Sequence, residues 1–138
     1  MKIKRIEHVA IAVADMAAFR RMLEETLGLS MEYEQASEQA TLAMYPVADT
    51  YIEVIQGRAA SSRAAQWVAQ KGPGVHHLCL EVEDLEGALA ELRARGARLL
   101  DEKPRRGHGG TLIAFIDPQS TGDVLIELVQ SRGGADTH

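Results

Sequence analysis

The 138-residue chain has a single cysteine, Cys79, so no disulfide can form within it. It has no apolar run near the roughly 20 residues that a membrane-spanning helix needs. The basic residues of segment 1–5 are not followed by the apolar stretch of a secretory signal. These absences predict a protein of the reducing cytoplasm with no membrane partner.

An excess of positive charge is also missing. The chain carries 15 Lys and Arg against 20 Asp and Glu, a formal net charge of −5. Since binding to phosphate backbones requires a basic face, this balance argues against a nucleic-acid partner. The apolar fraction of 46% and the length are typical of one globular domain.

What the chain does contain is an internal repeat. His8-Val-Ala-Ile-Ala-Val is followed 69 residues later by His77-Leu-Cys-Leu-Glu-Val. Each run leads to an Asp that suits a helix N-cap, then to a helical pattern that ends at a Gly. The paired positions are Asp15 with Asp84, and Gly28 with Gly96. A repeat near half the chain length predicts two equivalent modules.

Each module has the predicted order βαβββ, in a single domain spanning residues 1–138. Module one covers about 1–57, a linker with a short helix covers 58–73, module two covers 74–130, and 131–138 form a flexible tail. The predicted helix of module one, over 16–27, has an apolar stripe at helical spacing formed by Phe19, Met22, Leu23 and Leu27. Strands are predicted near 6–13, 31–35, 40–47 and 50–56, and again near 75–82, 98–101, 112–116 and 124–129.

One acid interrupts the apolar last strand of each module, Glu53 in the first and Glu127 in the second. A buried carboxylate is costly unless it is paired or bound to a metal. For one Glu alone, a solvent-facing strand side is an equal alternative, and a lone His is more often a hydrogen-bonded core residue. Because His8 and His77 also occupy matching positions, the four side chains together predict a site for Zn, Co, Ni, Mn or Fe.

This constellation resembles the vicinal oxygen chelate superfamily, and within it the methylmalonyl-CoA epimerases. The resemblance covers nearly the whole chain. Its most specific runs are Gly72-Pro73-Gly74-Val75-His76-His77 and Gly107-His108-Gly109-Gly110 before Ala114-Phe115-Ile116-Asp117-Pro118. The fold that it implies is α+β, with the two modules forming a half-open mixed β-barrel around a metal site in the cleft.

The resemblance also implies an activity and its residues. His8, Glu53, His77 and Glu127 would bind a divalent metal ion, and Glu38 would be a catalytic base, with Glu127 as a second proton carrier. The reaction would interconvert the (R) and (S) epimers of methylmalonyl-CoA through an enolate. The family relationship further implies a homodimer and a small-molecule acyl-CoA as substrate.

Two other functions are compatible with the same pattern. A glyoxalase I-like lactoylglutathione lyase uses the same kind of metal site, and some superfamily members only sequester small molecules. Four intact candidate ligands argue against the sequestering class. An Fe(II) dioxygenase is disfavoured, because those relatives use two His and one Glu, usually in a longer chain.

A basic cluster precedes the glycine-rich loop, formed by Lys103, Arg105 and Arg106. It has two interpretations of similar weight, a contact for the CoA part of the substrate or a solvated hairpin.

Overall fold

The computed structural model describes residues 1–131, so the predicted tail lies, apart from Ser131, outside the described residues. The elements within this range are β1 (Ile3–Ala12), α1 (Met16–Arg21), β2 (Tyr33–Ala36), β3 (Ala40–Val47), β4 (Thr50–Gly57), α2 (Arg63–Lys71), β5 (Gly74–Val82), α3 (Leu85–Ala94), β6 (Arg105–Arg106), β7 (Leu112–Ile116) and β8 (Ile126–Gln130). The predicted order βαβββ, repeated after a linker helix, is confirmed. In this described range no helix combines the length and apolarity required to cross a membrane.

The chain divides into two compact units. The first, His8–His76, contains the strand order β2-β3-β4-β1, in which β1 is parallel to β4 and the other pairs are antiparallel. Its apolar core contains Val13, Met16, Leu23, Ala43, Tyr45 and Val54. The single domain remains a prediction.

Among the described residues, the second unit consists of Met1–Glu7 and residues 77–131. Its strand order is β5-β8-β7-β6, with β5 parallel to β8 and antiparallel pairs after it. One face of these strands packs on α3, and the buried core there contains Val82, Leu85, Ala88, Leu89, Leu99, Ala114, Ile116 and Leu128. Each unit therefore has a parallel pair joining its first and last strands.

The first helix of each module begins with the same two hydrogen bonds. Asp15 accepts from the Ala18 amide at 3.1 Å, and Asp84 accepts from the Gly87 amide at 3.2 Å, as expected for N-caps. A glutamine at the end of the last strand accepts from the first helical amide. These bonds join Met16 to Gln56 at 2.7 Å and Leu85 to Gln130 at 2.8 Å. The sequence repeat therefore extends to the way each helix is attached to its sheet.

The predicted place of Leu27 in the apolar stripe of the first helix is wrong. After Arg21 the helix continues as a π-helical turn over Met22–Thr26, where the Leu27 amide bonds to the Met22 carbonyl at 3.1 Å. The extra residue in this turn rotates the end of the helix away from the apolar stripe, and Leu27 is 60% exposed. Leu29, beyond Gly28, packs on the core instead.

The predicted strand over 98–101 is also wrong. Only an isolated bridge joins Leu99 to Ile116, and the short strand β6 lies further on. The amides of Leu100 and Asp101 both bond to the Phe115 carbonyl, while the Asp101 carboxylate takes the Phe115 amide at 2.8 Å. The Asp101 side chain thus accepts the Phe115 amide, which a backbone carbonyl would accept in a regular strand pair, and no regular ladder forms here.

Candidate metal centre

The first buried His–Glu pair lies in the unit His8–His76. His8 is 3% exposed and Glu53 is 4% exposed. In the parallel pairing of β1 with β4, Glu53 is opposite Ala10, two residues beyond His8 on the same face. This offset places His8 Nε2 3.6 Å from Glu53 Oε1.

The second pair repeats this arrangement in the other unit. Glu127 on β8 is opposite Cys79 on β5, again two residues beyond the histidine, His77. Both residues are 6% exposed, and His77 Nε2 lies 3.0 Å from Glu127 Oε1. Because the register offset is the same, the sequence repeat accounts for both pairs.

The geometry of both pairs fits a divalent metal. Two ligand atoms about 2.0–2.2 Å from one ion lie about 2.8–3.6 Å apart at octahedral or tetrahedral angles. The nitrogen–oxygen distances of 3.0 and 3.6 Å fall in this range. Imidazole nitrogen with carboxylate oxygen is a donor set for Zn, Co, Ni, Mn or Fe.

Phe115 adds an aromatic wall to the second pair. It lies opposite Glu127 in the β7–β8 ladder, and its ring meets the His77 ring edge-on, with centroids 5.3 Å apart and planes at 85°. This contact restricts the rotation of the imidazole next to Glu127. Phe115 belongs to a run on which the family resemblance rests, but the sequence assigned it no role at the site.

Glu38 lies in the exposed turn between β2 and β3. Ser37 closes this turn by accepting from the Ala40 amide at 3.2 Å, and the Arg58 side chain donates to the Ser37 carbonyl at 2.6 Å. The β3–β4 register puts the turn beside Gly57, four residues along β4 from Glu53, or about 13 Å at strand spacing. Thus the structure brings His8 to Glu53 and His77 to Glu127, and places Glu38 outside the first pair.

Comparison with known proteins identifies the family. A profile of the glyoxalase/bleomycin resistance protein/dioxygenase superfamily matches residues 7–115, which is well over half of the chain. The chain belongs to this superfamily. The match includes both histidines and Glu53, and it ends before Glu127.

Within the glyoxalase/bleomycin resistance protein/dioxygenase superfamily, the chain is similar to an ethylmalonyl-CoA/methylmalonyl-CoA epimerase of Cereibacter sphaeroides, with 33% identity over 93% of this chain and 98% of that protein. It is 31% identical to the uncharacterized protein YqjC of Bacillus subtilis, over 94% of each chain.

Among solved structures, methylmalonyl-CoA epimerase from Mycobacterium tuberculosis superposes with a TM-score of 0.87 at 32% identity, over 93% of this chain and 88% of that one. This agreement confirms the predicted fold class, α+β with tandem βαβββ modules.

Proposed function

We propose that this protein is a metal-dependent epimerase that interconverts the (R) and (S) forms of methylmalonyl-CoA or a close homologue. The observation that carries the proposal is the pair of buried His–Glu contacts, repeated with the same register in the two units. The similarity to an ethylmalonyl-CoA/methylmalonyl-CoA epimerase supports the substrate class. A buried carboxylate in each last strand is otherwise a costly feature of an apolar core.

In this proposal one divalent ion is held by His8, Glu53, His77 and Glu127. When bound, such an ion acts as a Lewis acid that polarises the thioester carbonyl and stabilises negative charge on its oxygen. The proposed chemistry needs a buried, largely apolar surrounding, because electrostatic stabilisation is stronger where water is excluded. The low exposure of all four side chains is consistent with this need.

Inversion at the α-carbon also requires a base on one face and an acid on the other. On the family resemblance we assign the dedicated base to Glu38, whose turn lies about 13 Å along β4 from Glu53 in this structure, and the second proton carrier to Glu127. A carboxylate that also serves as a metal ligand is a weakened base, and for this reason the dedicated role is assigned to Glu38. Glu38, in an accessible turn held by hydrogen bonds, makes no ion pair with any residue between 1 and 131.

The experiment follows deuterium exchange at the α-carbon of methylmalonyl-CoA in wild type, Glu38→Gln and His77→Ala. Glu38→Gln is expected to lower the exchange rate by about 10²–10⁴ because the proposal makes Glu38 the dedicated base. It should still bind metal, so a hundredfold excess of free metal over Kd should raise its unfolding free energy by about 2.7 kcal/mol, as in wild type. His77→Ala should lose both exchange and most of this stabilisation.

The matched control is Glu25→Gln, another exposed glutamate, which should retain wild-type exchange. Full exchange in Glu38→Gln would remove Glu38 from the mechanism. Wild-type turnover of a glutathione hemithioacetal instead of methylmalonyl-CoA would replace the epimerase with a glyoxalase I-like lyase. A wild-type protein that gains no stability from any metal would overturn the metal site.

The proposal includes a homodimer, as the family resemblance implies. Light scattering of the purified protein distinguishes the 15.1 kDa monomer from a particle of twice that mass.

A further inference from the structure

The two neighbouring arginines of β6 lie on opposite faces of the second unit. In the antiparallel ladder Arg105 is opposite Ile113, whereas Arg106 is opposite Leu112. Ile113 is two residues from Phe115 on the same strand, so Arg105 shares the face that carries Phe115 and Glu127. Leu112 packs on the core under α3, so Arg106 belongs to the helix-covered side.

Arg105 is held in place on that face by two contacts. Its Nε donates to Asp101 Oδ1 at 3.0 Å, and its guanidinium carbon lies 5.6 Å from the centre of the Phe115 ring. The other oxygen of Asp101 accepts the Phe115 amide at 2.8 Å, which fixes the carboxylate to the strand. An arginine restrained in this way loses less side-chain entropy when it binds a ligand.

Phe115 also connects Arg105 to the histidine of the second pair. The same ring that lies under the guanidinium contacts the edge of His77. The distances of 5.6 and 5.3 Å place the Arg105 guanidinium carbon no more than about 11 Å from the centre of the His77 ring. A ligand that reaches His77 and Glu127 is therefore within the range of this charge.

Most of the donors of Arg105 are still available. Only Nε is engaged by a hydrogen bond to the part of the chain that the structure describes, and the side chain is 48% exposed. The two terminal nitrogens carry four N–H groups in a planar fork, which matches the oxygens of a carboxylate or a phosphate.

We propose that Arg105 binds an oxyanion of the acyl-CoA substrate and thereby contributes to substrate selection. This inference rests on the proposed function, in which the substrate carries both a malonyl carboxylate and the CoA phosphates. The chemistry recognised is the same for either group. The structure separates Arg105 from Arg106 by strand face, although the two are adjacent in a basic cluster of the sequence.

The test compares Arg105→Gln with Arg106→Gln, which makes the same charge change one residue away on the opposite face. Loss of a hydrogen bond to a charged group corresponds to about a tenfold or larger change in affinity. Arg105→Gln is therefore expected to raise KM for methylmalonyl-CoA about tenfold with kcat within about twofold, the pattern of lost uniform binding. Arg106→Gln should keep both values within about twofold.

A second substrate distinguishes the two oxyanions. Methylmalonyl-pantetheine has the carboxylate but lacks the CoA phosphates. If Arg105 binds the carboxylate, its KM increase will appear with both substrates, and if it binds a phosphate, the increase will appear only with the CoA ester. Equal KM values for Arg105→Gln and Arg106→Gln on both substrates would overturn the proposal.

Two further measurements exclude a structural explanation. Metal-induced stabilisation of Arg105→Gln should equal that of wild type, and Arg105→Lys should recover part of the lost affinity because it restores the charge without the fork. If wild type shows no epimerase activity, calorimetric binding of methylmalonyl-CoA to the same variants still tests Arg105. Weaker binding confined to the Arg105 variant would then support this site while the proposed reaction failed.

Discussion

At the scale of single residues, Ala48 has an unfavourable backbone conformation. It is the first of two residues joining β3 to β4 and has φ of 54°, in the region where a Cβ costs roughly 1–2 kcal/mol. Glycine is preferred at such a hairpin position. Ala48→Gly should raise the unfolding free energy by about 0.5–1 kcal/mol, since relief of strain exceeds the greater entropy of glycine in the unfolded chain.

Urea denaturation measures this change. Ala60→Gly is the matched control, because Ala60 is also exposed but lacks a positive φ, and it should destabilise by about 0.4–1 kcal/mol. A loss of stability in Ala48→Gly equal to that of the control would contradict the strain at Ala48.

The burial of Glu53 and Glu127 could be predicted from the sequence, because each is flanked by apolar residues at matching repeat positions. Their separate partners could not be predicted. Each His–Glu contact depends on a parallel register between strands 40 or more residues apart, and no local pattern specifies that offset. The contact of the Phe115 ring with His77 could not be predicted either, because it also depends on the pairing of separate strands.

At the scale of elements, the glutamine at the end of each module ties a helix to its sheet. Gln130 accepts the Leu85 amide at 2.8 Å, and Leu85 is fully buried. That amide is one of the donors that a helix leaves without an internal partner. Gln130→Ala should lower the unfolding free energy by about 1–2 kcal/mol, because the donor loses its acceptor in a partly buried place.

Chemical denaturation of Gln130→Ala beside Gln66→Ala checks this role. Gln66 is exposed on α2, where alanine is a slightly better helix former, so its replacement should change stability by less than about 0.5 kcal/mol. Equal stability of the two variants would show that Gln130 does not support α3.

Helix starts were predictable because the cap lies within three residues of the amide it serves, as for Asp15 and Asp84. The two wrong predictions, the place of Leu27 and the strand over 98–101, involve hydrogen bonds that local composition does not reveal. A π-helical turn displaced Leu27, and the carboxylate of Asp101 replaced a strand backbone acceptor. In each place one hydrogen bond differs from the regular pattern of the predicted helix or strand.

At the scale of the whole molecule, the sequence repeat predicted two modules but assigned the first seven residues to the wrong one. These residues belong to the unit that begins at His77. Within that unit the Glu83 amide donates to the Lys2 carbonyl, the terminal ammonium pairs with Glu91 at 2.5 Å, and Arg5 pairs with Glu81 at 2.5 Å. The N-terminal strand therefore contributes to the unit formed by the second half of the chain.

This attachment should make stability depend on pH through Glu81. Burial alone would raise the pKa of Glu81, but hydrogen bonds from Ser131 and Arg5 and the charges of Arg5 and Lys4 outweigh it, and the pKa is lowered from 4.5. A carboxyl with a lowered folded-state pKa stabilises the fold above its unfolded pKa, and this contribution is lost as pH falls through the folded value. The unfolding free energy should therefore decrease as pH drops below about 4.5.

Glu81→Gln removes this titration, so its unfolding free energy should be lower than that of wild type at pH 7, and the gap should narrow as pH falls below about 4.5. Glu83→Gln is the control, because Glu83 is mostly exposed and its contact with Lys2 is 3.6 Å long, which makes its contribution small. Denaturant titrations at several pH values between about 3 and 7 provide the measurement. If the difference in unfolding free energy between wild type and Glu81→Gln stays constant over this range, Glu81 stabilises the fold by packing. If the difference narrows for this variant alone, the acid sensitivity comes from the contacts of Glu81 with Arg5 and Ser131.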